Sequence, residues 1–133
     1  MLKKISGHSN VITWFEIPVT NLNRARKFYE TVLDIKMETM EKDQNSVFFP
    51  RQPDTIMAQS GIVSGTLTKS KENSPSGTGP LIYLNATPSI DAAIDKIEPA
   101  GGKILTPKTK IPAGLIAVFE DSEGNRLALH ATE

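Results

Sequence analysis

The 133-residue chain contains no cysteine. That absence excludes disulfides, thiolate metal ligands and cysteine nucleophiles together. Histidine is nearly as scarce: the chain has only His8 and His130, near opposite ends, and such a pair is not a metal motif. Neither sign of charge is in excess, because fifteen Lys and Arg residues balance fifteen Asp and Glu residues. Bulk charge therefore gives no reason to expect a nucleic acid or an anionic membrane as partner. No stretch approaches the ~20 consecutive apolar residues that a membrane-spanning helix needs. The first residues, Met1 to His8, carry two lysines with no apolar run behind them, which is not a signal peptide. A cytoplasmic protein is the expectation. Gly77-Thr78-Gly79 does not complete a phosphate-binding loop, and no Gly-x-Ser-x-Gly nucleophile elbow occurs.

What the chain does contain suits a globular fold. Hydrophobic residues make up 38% and charged residues 23%, and a chain of this length buries enough apolar surface to fold as one domain, taken here as residues 1–133. Ile12–Val19 reads as a strand, with Phe15, Ile17 and Val19 on one face and Trp14, Glu16 and Pro18 on the other. Thr20-Asn21 is a cap signal. Leu22, Ala25, Phe28, Tyr29, Val32 and Leu33 then recur at helical spacing, with Arg24, Arg26, Lys27 and Glu30 between them on a solvated face. Ile35–Lys42 and Ser46–Pro50 read as short strands around a turn at Asp43-Gln44-Asn45, and Thr55–Ser70 as a weaker strand region. Lys71–Gly79, rich in Ser, Pro, Gly and Asn, reads as a flexible loop.

The pattern then starts again. Leu81–Ala86 is a strand, and Pro88-Ser89 caps a helix bearing Ile90, Ala93, Ile94 and Ile97. Pro99 and Gly101-Gly102 end that helix. Strands follow at Lys103–Thr106, Leu115–Glu120 and Arg126–Ala131, with Asp121–Asn125 as the last hairpin turn. Strand, helix and several strands thus occur twice, over about 10–70 and about 80–133, and the match of the helix starts sets Trp14 opposite Leu81 and Glu16 opposite Tyr83.

On alternation, Leu127 and Leu129 belong to the core while Ala128 and His130 face the other way. Glu16, Tyr83 and His130 then form a polar layer one step from an apolar layer of Trp14, Leu81 and Ala128, with Asn85 beside them. An apolar floor with a few polar groups is the usual make-up of a small-molecule pocket. A partly buried Glu16 is a candidate general base, since an unpaired carboxylate in such a place has a raised pKa. His130 is a candidate proton shuttle. Each has a plainer alternative: a structural carboxylate for Glu16, an exposed terminal histidine for His130, and core packing for Trp14. Turn chemistry accounts for Asp121 in the Glu120-Asp121 pair.

The duplicated pattern resembles a known family. Trp14-Phe15-Glu16-Ile17-Pro18-Val19 runs into Asn23-Arg24-Ala25-Arg26-Lys27-Phe28-Tyr29. Later come Leu81–Asn85, Ile90-Asp91-Ala92-Ala93, Ala100-Gly101-Gly102 and Phe119–Asn125. Together these are similar to the vicinal oxygen chelate superfamily of glyoxalases, bleomycin-resistance proteins and dioxygenases, and more narrowly to its lactoylglutathione-lyase-related proteins. The resemblance implies an α+β fold of two βαβββ modules whose curved sheets form a cup with helices outside. It also implies a homodimer and a small organic ligand on the concave face. Metal-dependent members carry His, Gln or Glu at inward strand positions, where the metal acts as a Lewis acid.

Alignment on the helix starts and the Gly-Asn turn sets those ligand positions on Trp14, Leu81 and Ala128, and Thr55–Ser70 holds no His, Asp or Glu. Indole, isobutyl and methyl groups offer no lone pair suited to a divalent cation. The expectation is a small-molecule-binding protein with no metal and no cofactor, its ligand held by Trp14, Leu81, Tyr83, Asn85 and Ala128 with Glu16 and His130 as polar or catalytic groups. Two alternatives stay open. One is a metal-dependent lyase, isomerase or dioxygenase using Glu16 and His130 as ligands. The other is a non-catalytic interaction module whose cup is filled by side chains.

Overall fold

The computed structural model describes residues 4–54 and 59–133. In chain order the elements are β1 (Trp14–Pro18), α1 (Leu22–Leu33), β2 (Glu38–Met40), β3 (Asp43–Phe48), β4 (Ser64–Thr68), β5 (Tyr83–Asn85), α2 (Ile90–Ile97), β6 (Lys103–Ile111), β7 (Gly114–Glu120) and β8 (Arg126–Ala131). They form two four-stranded mixed sheets, ordered β1-β4-β3-β2 and β5-β8-β7-β6, each with one helix. This is the expected α+β architecture of two βαβββ modules, and the sheets do not close into a barrel.

The duplication holds to the residue. β1 runs parallel to β4 with Glu16 opposite Thr66, and β5 runs parallel to β8 with Tyr83 opposite Ala128. One equivalent hydrogen bond closes each pair: Val19 N–H to Thr68 O at 3.0 Å, and Ala86 N–H to His130 O at 2.8 Å. Counting back from Val19 and Ala86 makes Glu16 the counterpart of Tyr83, and Trp14 that of Leu81.

Helix α1 begins where Asn21 Oδ1 accepts the Arg24 N–H at 2.9 Å, which satisfies one orphan donor of the first turn. Its buried stripe is Ala25, Phe28, Tyr29 and Val32. Ser89 caps α2 in the same way through the Ala92 N–H at 3.3 Å. The helix ends ahead of Gly101, whose φ of 106° few other residues adopt. At Gly102 a Cβ atom would lie 2.5 Å from Glu120 O of β7 and 2.8 Å from Phe28 Cε1, so glycine lets the chain after α2 run close against β7 and the Phe28 ring. Phe28 in turn stacks on Phe119 of β7 at 6.1 Å and meets Tyr29 edge-on at 5.0 Å. Tyr29 meets Phe49 at 5.6 Å, and Phe49 meets Phe15 at 5.3 Å. Aromatic contact therefore runs unbroken from one module to the other.

Several boundaries differ from the sequence reading. Val11 and Ile12 are exposed and precede β1, and the β2–β3 turn sits at 41–42, so Asp43, Gln44 and Asn45 are strand residues. β4 occupies only the end of Thr55–Ser70, of which residues 55–58 lie outside the described residues, as do residues 1–3 of the amino-terminal stretch. β5 is three residues long, with Leu81 and Ile82 outside it. β6 continues through Pro107 to Ile111. It is the edge strand of its sheet, where a proline and several lysines are tolerated because no further strand needs their N–H groups.

Candidate functional site

Strand alternation decides which side chains leave the core. In β1, Ile17 is 2% exposed and Trp14 and Glu16 take the opposite face. Their partners on β4 and β3 share that face: Ser64, Thr66 and Thr68 on one strand, Ser46 and Phe48 on the other. Trp14 lies 5.9 Å from the Phe48 ring, and the Arg51 guanidinium sits 4.7 Å over that ring, a cation–π contact. The hydroxyls beside them are mutually bonded. Ser46 Oγ and Thr66 Oγ1 each lie 3.0 Å from Thr68 Oγ1, and Ser64 Oγ donates to Phe49 O at 3.2 Å. The face of module one is thus aromatic and hydroxyl-lined.

In module two, Tyr83, Asn85 and His130 come together at an open recess of about 370 Å³. His130 Nε2 lies 2.8 Å from Ala113 O in the β6–β7 turn. A carbonyl only accepts, so Nε2 carries the proton and Nδ1 holds the lone pair of the neutral ring. Asn85 Oδ1 is committed to Thr87, accepting from its N–H at 2.9 Å and its hydroxyl at 2.5 Å. Glu16 is not in this recess. It lines a separate groove of about 270 Å³ between the β1 edge and residues 74–82, which Arg126 also lines. The expected polar layer is therefore split: Tyr83 and His130 meet, and Glu16 stands apart.

Two expectations need correction. Glu16 is exposed rather than partly buried, because β1 is the edge of its sheet and its outward face is open there. Ala128 is 0% exposed and lines neither cavity. It pairs with Tyr83 on one side and Val118 on the other, and these longer side chains rise past its methyl group. Leu81 is half-buried beyond the end of β5. Phe48, Arg51, Arg126 and the hydroxyls of Ser46, Ser64, Thr66 and Thr68 are residues that sequence reasoning passed over. Arg126 was within reach, since it shares the parity of Ala128 and His130.

The acidic turn has a different task. Asp121, 2% exposed, accepts the N–H groups of Glu123 and Asn125 at 2.8 and 2.9 Å, and the Tyr29 hydroxyl at 2.7 Å. Burial, then the neighbouring Asp121 carboxylate, raises the Tyr29 pKa well above its ordinary value. Asn125 Nδ2 reaches Pro18 O at 2.7 Å. Glu123 crosses to the start of α1, where it accepts from Thr20 N–H at 3.0 Å, Asn21 N–H at 2.8 Å and Arg24 Nε at 2.6 Å. Burial pushes the Glu123 carboxyl up, but the hydrogen bonds from Arg24, Asn21 and Thr20 outweigh it and bring its pKa down to about 2. Of the helix cations expected on a solvated face, Arg24 thus serves this joint. Arg26 donates to Met37 O at 2.7 Å, and Lys27 is exposed as expected.

A metal of the kind the fold's enzymes use finds a poor donor set. On the face turned from the core, β1, β4 and β8 carry Trp14, Glu16, Ser64, Thr66, Thr68, Ala128 and His130; Glu16 and His130 line separate cavities, and no three His, Cys, Asp or Glu side chains cluster as a cation site among the described residues. Among the described residues, no helix is long and apolar enough to cross a membrane.

Comparison with known proteins follows this geometry. Residues 11–129 match the family model of the Glyoxalase/Bleomycin resistance protein/Dioxygenase superfamily. A glyoxalase/bleomycin resistance protein from Albidiferax ferrireducens T118 superposes with a TM-score of 0.70 at 19% identity, covering 90% of this chain and 97% of that one. A hypothetical protein from S. aureus gives 0.66 at 19% identity, covering 98% and 94%. A V278E glyoxalase I mutant from Zea mays gives 0.63 at 20% identity, covering 90% of this chain and 45% of that one. No curated protein sequence matches the chain. At these identities the structures speak for the fold alone, and the narrower lactoylglutathione-lyase-related likeness gains little from them.

Proposed function

The chain belongs to the Glyoxalase/Bleomycin resistance protein/Dioxygenase superfamily, and from that premise we propose that it is a metal-independent, small-molecule-binding member. Its ligand is a small organic molecule on the concave side, packed against the Trp14–Phe48 pair and against Tyr83. His130 Nδ1 accepts a hydrogen bond from it. The observation that carries the reading is the donor set: the positions that align with the family's metal ligands hold indole and methyl groups, and the carboxylate and imidazole on the same face, Glu16 and His130, line separate cavities. The hydroxyls are spent on one another, while the aromatic surfaces remain for an organic ligand. Sequestration of the ligand needs no further chemistry. On this reading the protein is a cytoplasmic homodimer with neither nucleic acid nor membrane as partner.

Trp14 is the only tryptophan in the chain, so its fluorescence reports directly on the proposed face. Screening a metabolite and antibiotic panel by fluorescence and melting temperature, in the presence of a chelator, should yield compounds that change both saturably. Trp14→Phe should abolish the fluorescence signal, and Tyr83→Ala should weaken binding about tenfold, the loss of one aromatic contact of about 1.4 kcal/mol. A panel in which no compound acts without added metal would overturn the reading.

A further inference from the structure

We propose that the groove between the β1 edge and residues 74–82 is a binding site for a small zwitterion of the amino-acid type. Two side chains of opposite sign, Glu16 and Arg126, line the same cavity of about 270 Å³ without forming an ion pair with each other. Neither is saturated by the protein. The Glu16 backbone is paired with β4, but its side chain has no hydrogen bond or ion pair among the described residues. The Arg126 guanidinium offers five N–H donors, and the structure gives it one acceptor, Gly79 O, at 3.0 Å from Nη2. Its Nε is buried without a partner, the only such side-chain nitrogen or oxygen among the described residues.

The site is held in shape around these two charges. Arg126 opens β8, with its own N–H on Ser76 O at 3.2 Å, and Ser76 N–H donates to Asn125 Oδ1 at 3.1 Å. The segment expected to be a flexible loop is thus pinned along the groove, and it presents the Ser76 and Thr78 hydroxyls, 2.9 Å apart. A carboxylate matches the guanidinium fork and gives it the acceptors it lacks, including one for Nε after a small swing of the side chain. An ammonium group on the same molecule matches Glu16. The volume falls just below the roughly 300–1,000 Å³ of drug-sized pockets, which favours a metabolite of a few heavy atoms. The inference does not depend on the ligand of the Trp14 face, because the groove has its own walls.

The test is titration of the ¹⁵N-labelled protein with the proteinogenic amino acids and 4-aminobutyrate, beside propionate and propylamine as carriers of one charge each. At least one zwitterion should shift the Ser76, Thr78 and Arg126 amides saturably, at concentrations at least tenfold below those for either single-charge compound. Glu16→Gln and Arg126→Gln should each raise its dissociation constant tenfold or more. Arg126→Lys, which keeps the charge, should recover part of the loss and guards against a folding defect in the glutamine variant. No amide shift with any zwitterion, equal binding of the single-charge compounds, or binding unchanged in both glutamine variants would overturn the proposal. Trp14 fluorescence takes no part in this readout, so its failure and that of the concave-face reading are distinguishable.

Discussion

Replacing Glu123 with glutamine tests how the modules are joined. The carboxylate belongs to the β7–β8 turn of module two, yet its acceptor sites are filled by Thr20, Asn21 and Arg24 at the start of α1 in module one. Its side chain is 0% exposed, while that of Arg24 is 53% exposed. A carboxyl moved from 4.5 to about 2 corresponds, at 1.36 kcal/mol per unit, to about 3 kcal/mol. Solvent screening through the half-exposed arginine reduces the share realised to about 1–2 kcal/mol. Because the folded-state pKa is the lower one, this stability is present in full above pH 4.5 and is lost as the pH falls towards 2. Urea unfolding at a series of pH values should find Glu123→Gln about 1–2 kcal/mol less stable than the parent at pH 7. The gap should narrow steadily between pH 4.5 and 2. Equal stability at pH 7, or a gap that persists unchanged at pH 2.5, would refute the reasoning.

Tyr29→Phe takes from Asp121 the hydroxyl that donates at 2.7 Å and leaves the buried carboxylate short of a donor. The expected loss is about 2 kcal/mol by chemical denaturation, and a change under 0.5 kcal/mol would contradict the role given to that bond. Gly102→Ala forces a Cβ to within 2.8 Å of Phe28. A loss of about 1–3 kcal/mol is expected from overpacking, while the neighbouring surface change Lys103→Ala should cost much less. An alanine variant at Gly102 as stable as the parent would mean that the chain does not pass as close to Glu120 O and Phe28 as described.

Much of this fold was legible because the chain states it twice. Period-3.6 stripes opening behind the caps Asn21 and Ser89 located both helices, and the hairpin turn at Asp121–Asn125 fixed the register of β8. Local signals failed where tertiary pairing overrides them. The strand expected at Lys103–Thr106 runs on through Pro107 to Ile111, because an edge strand tolerates proline and lysine. Asp43-Gln44-Asn45 read as a turn, yet Asp43 pairs with Met40 of β2 and Asn45 O accepts the Lys69 N–H at 2.8 Å, which keeps that stretch extended. The candidate site was legible only by parity. Alternation turned Trp14, Glu16, Tyr83 and His130 away from the core as expected, but it carries no information on how far apart they lie. The two sheets are separate, with no hydrogen bond between β1 and β5 among the described residues. Glu16 therefore lines one cavity, and Tyr83 with His130 another. The partners of Glu123 lie 99 to 103 residues away in sequence, beyond the reach of any local pattern.

A protein that holds its ligand without a metal should carry none of its own. Protein purified without a histidine tag should be subjected to elemental analysis and then titrated with zinc, nickel and manganese. Metal content should fall far below one equivalent, with no tight binding of any of the three. Close to one equivalent of a specific metal, retained through dialysis and lost when Glu16 and His130 are both changed to alanine, would contradict the metal-independent reading.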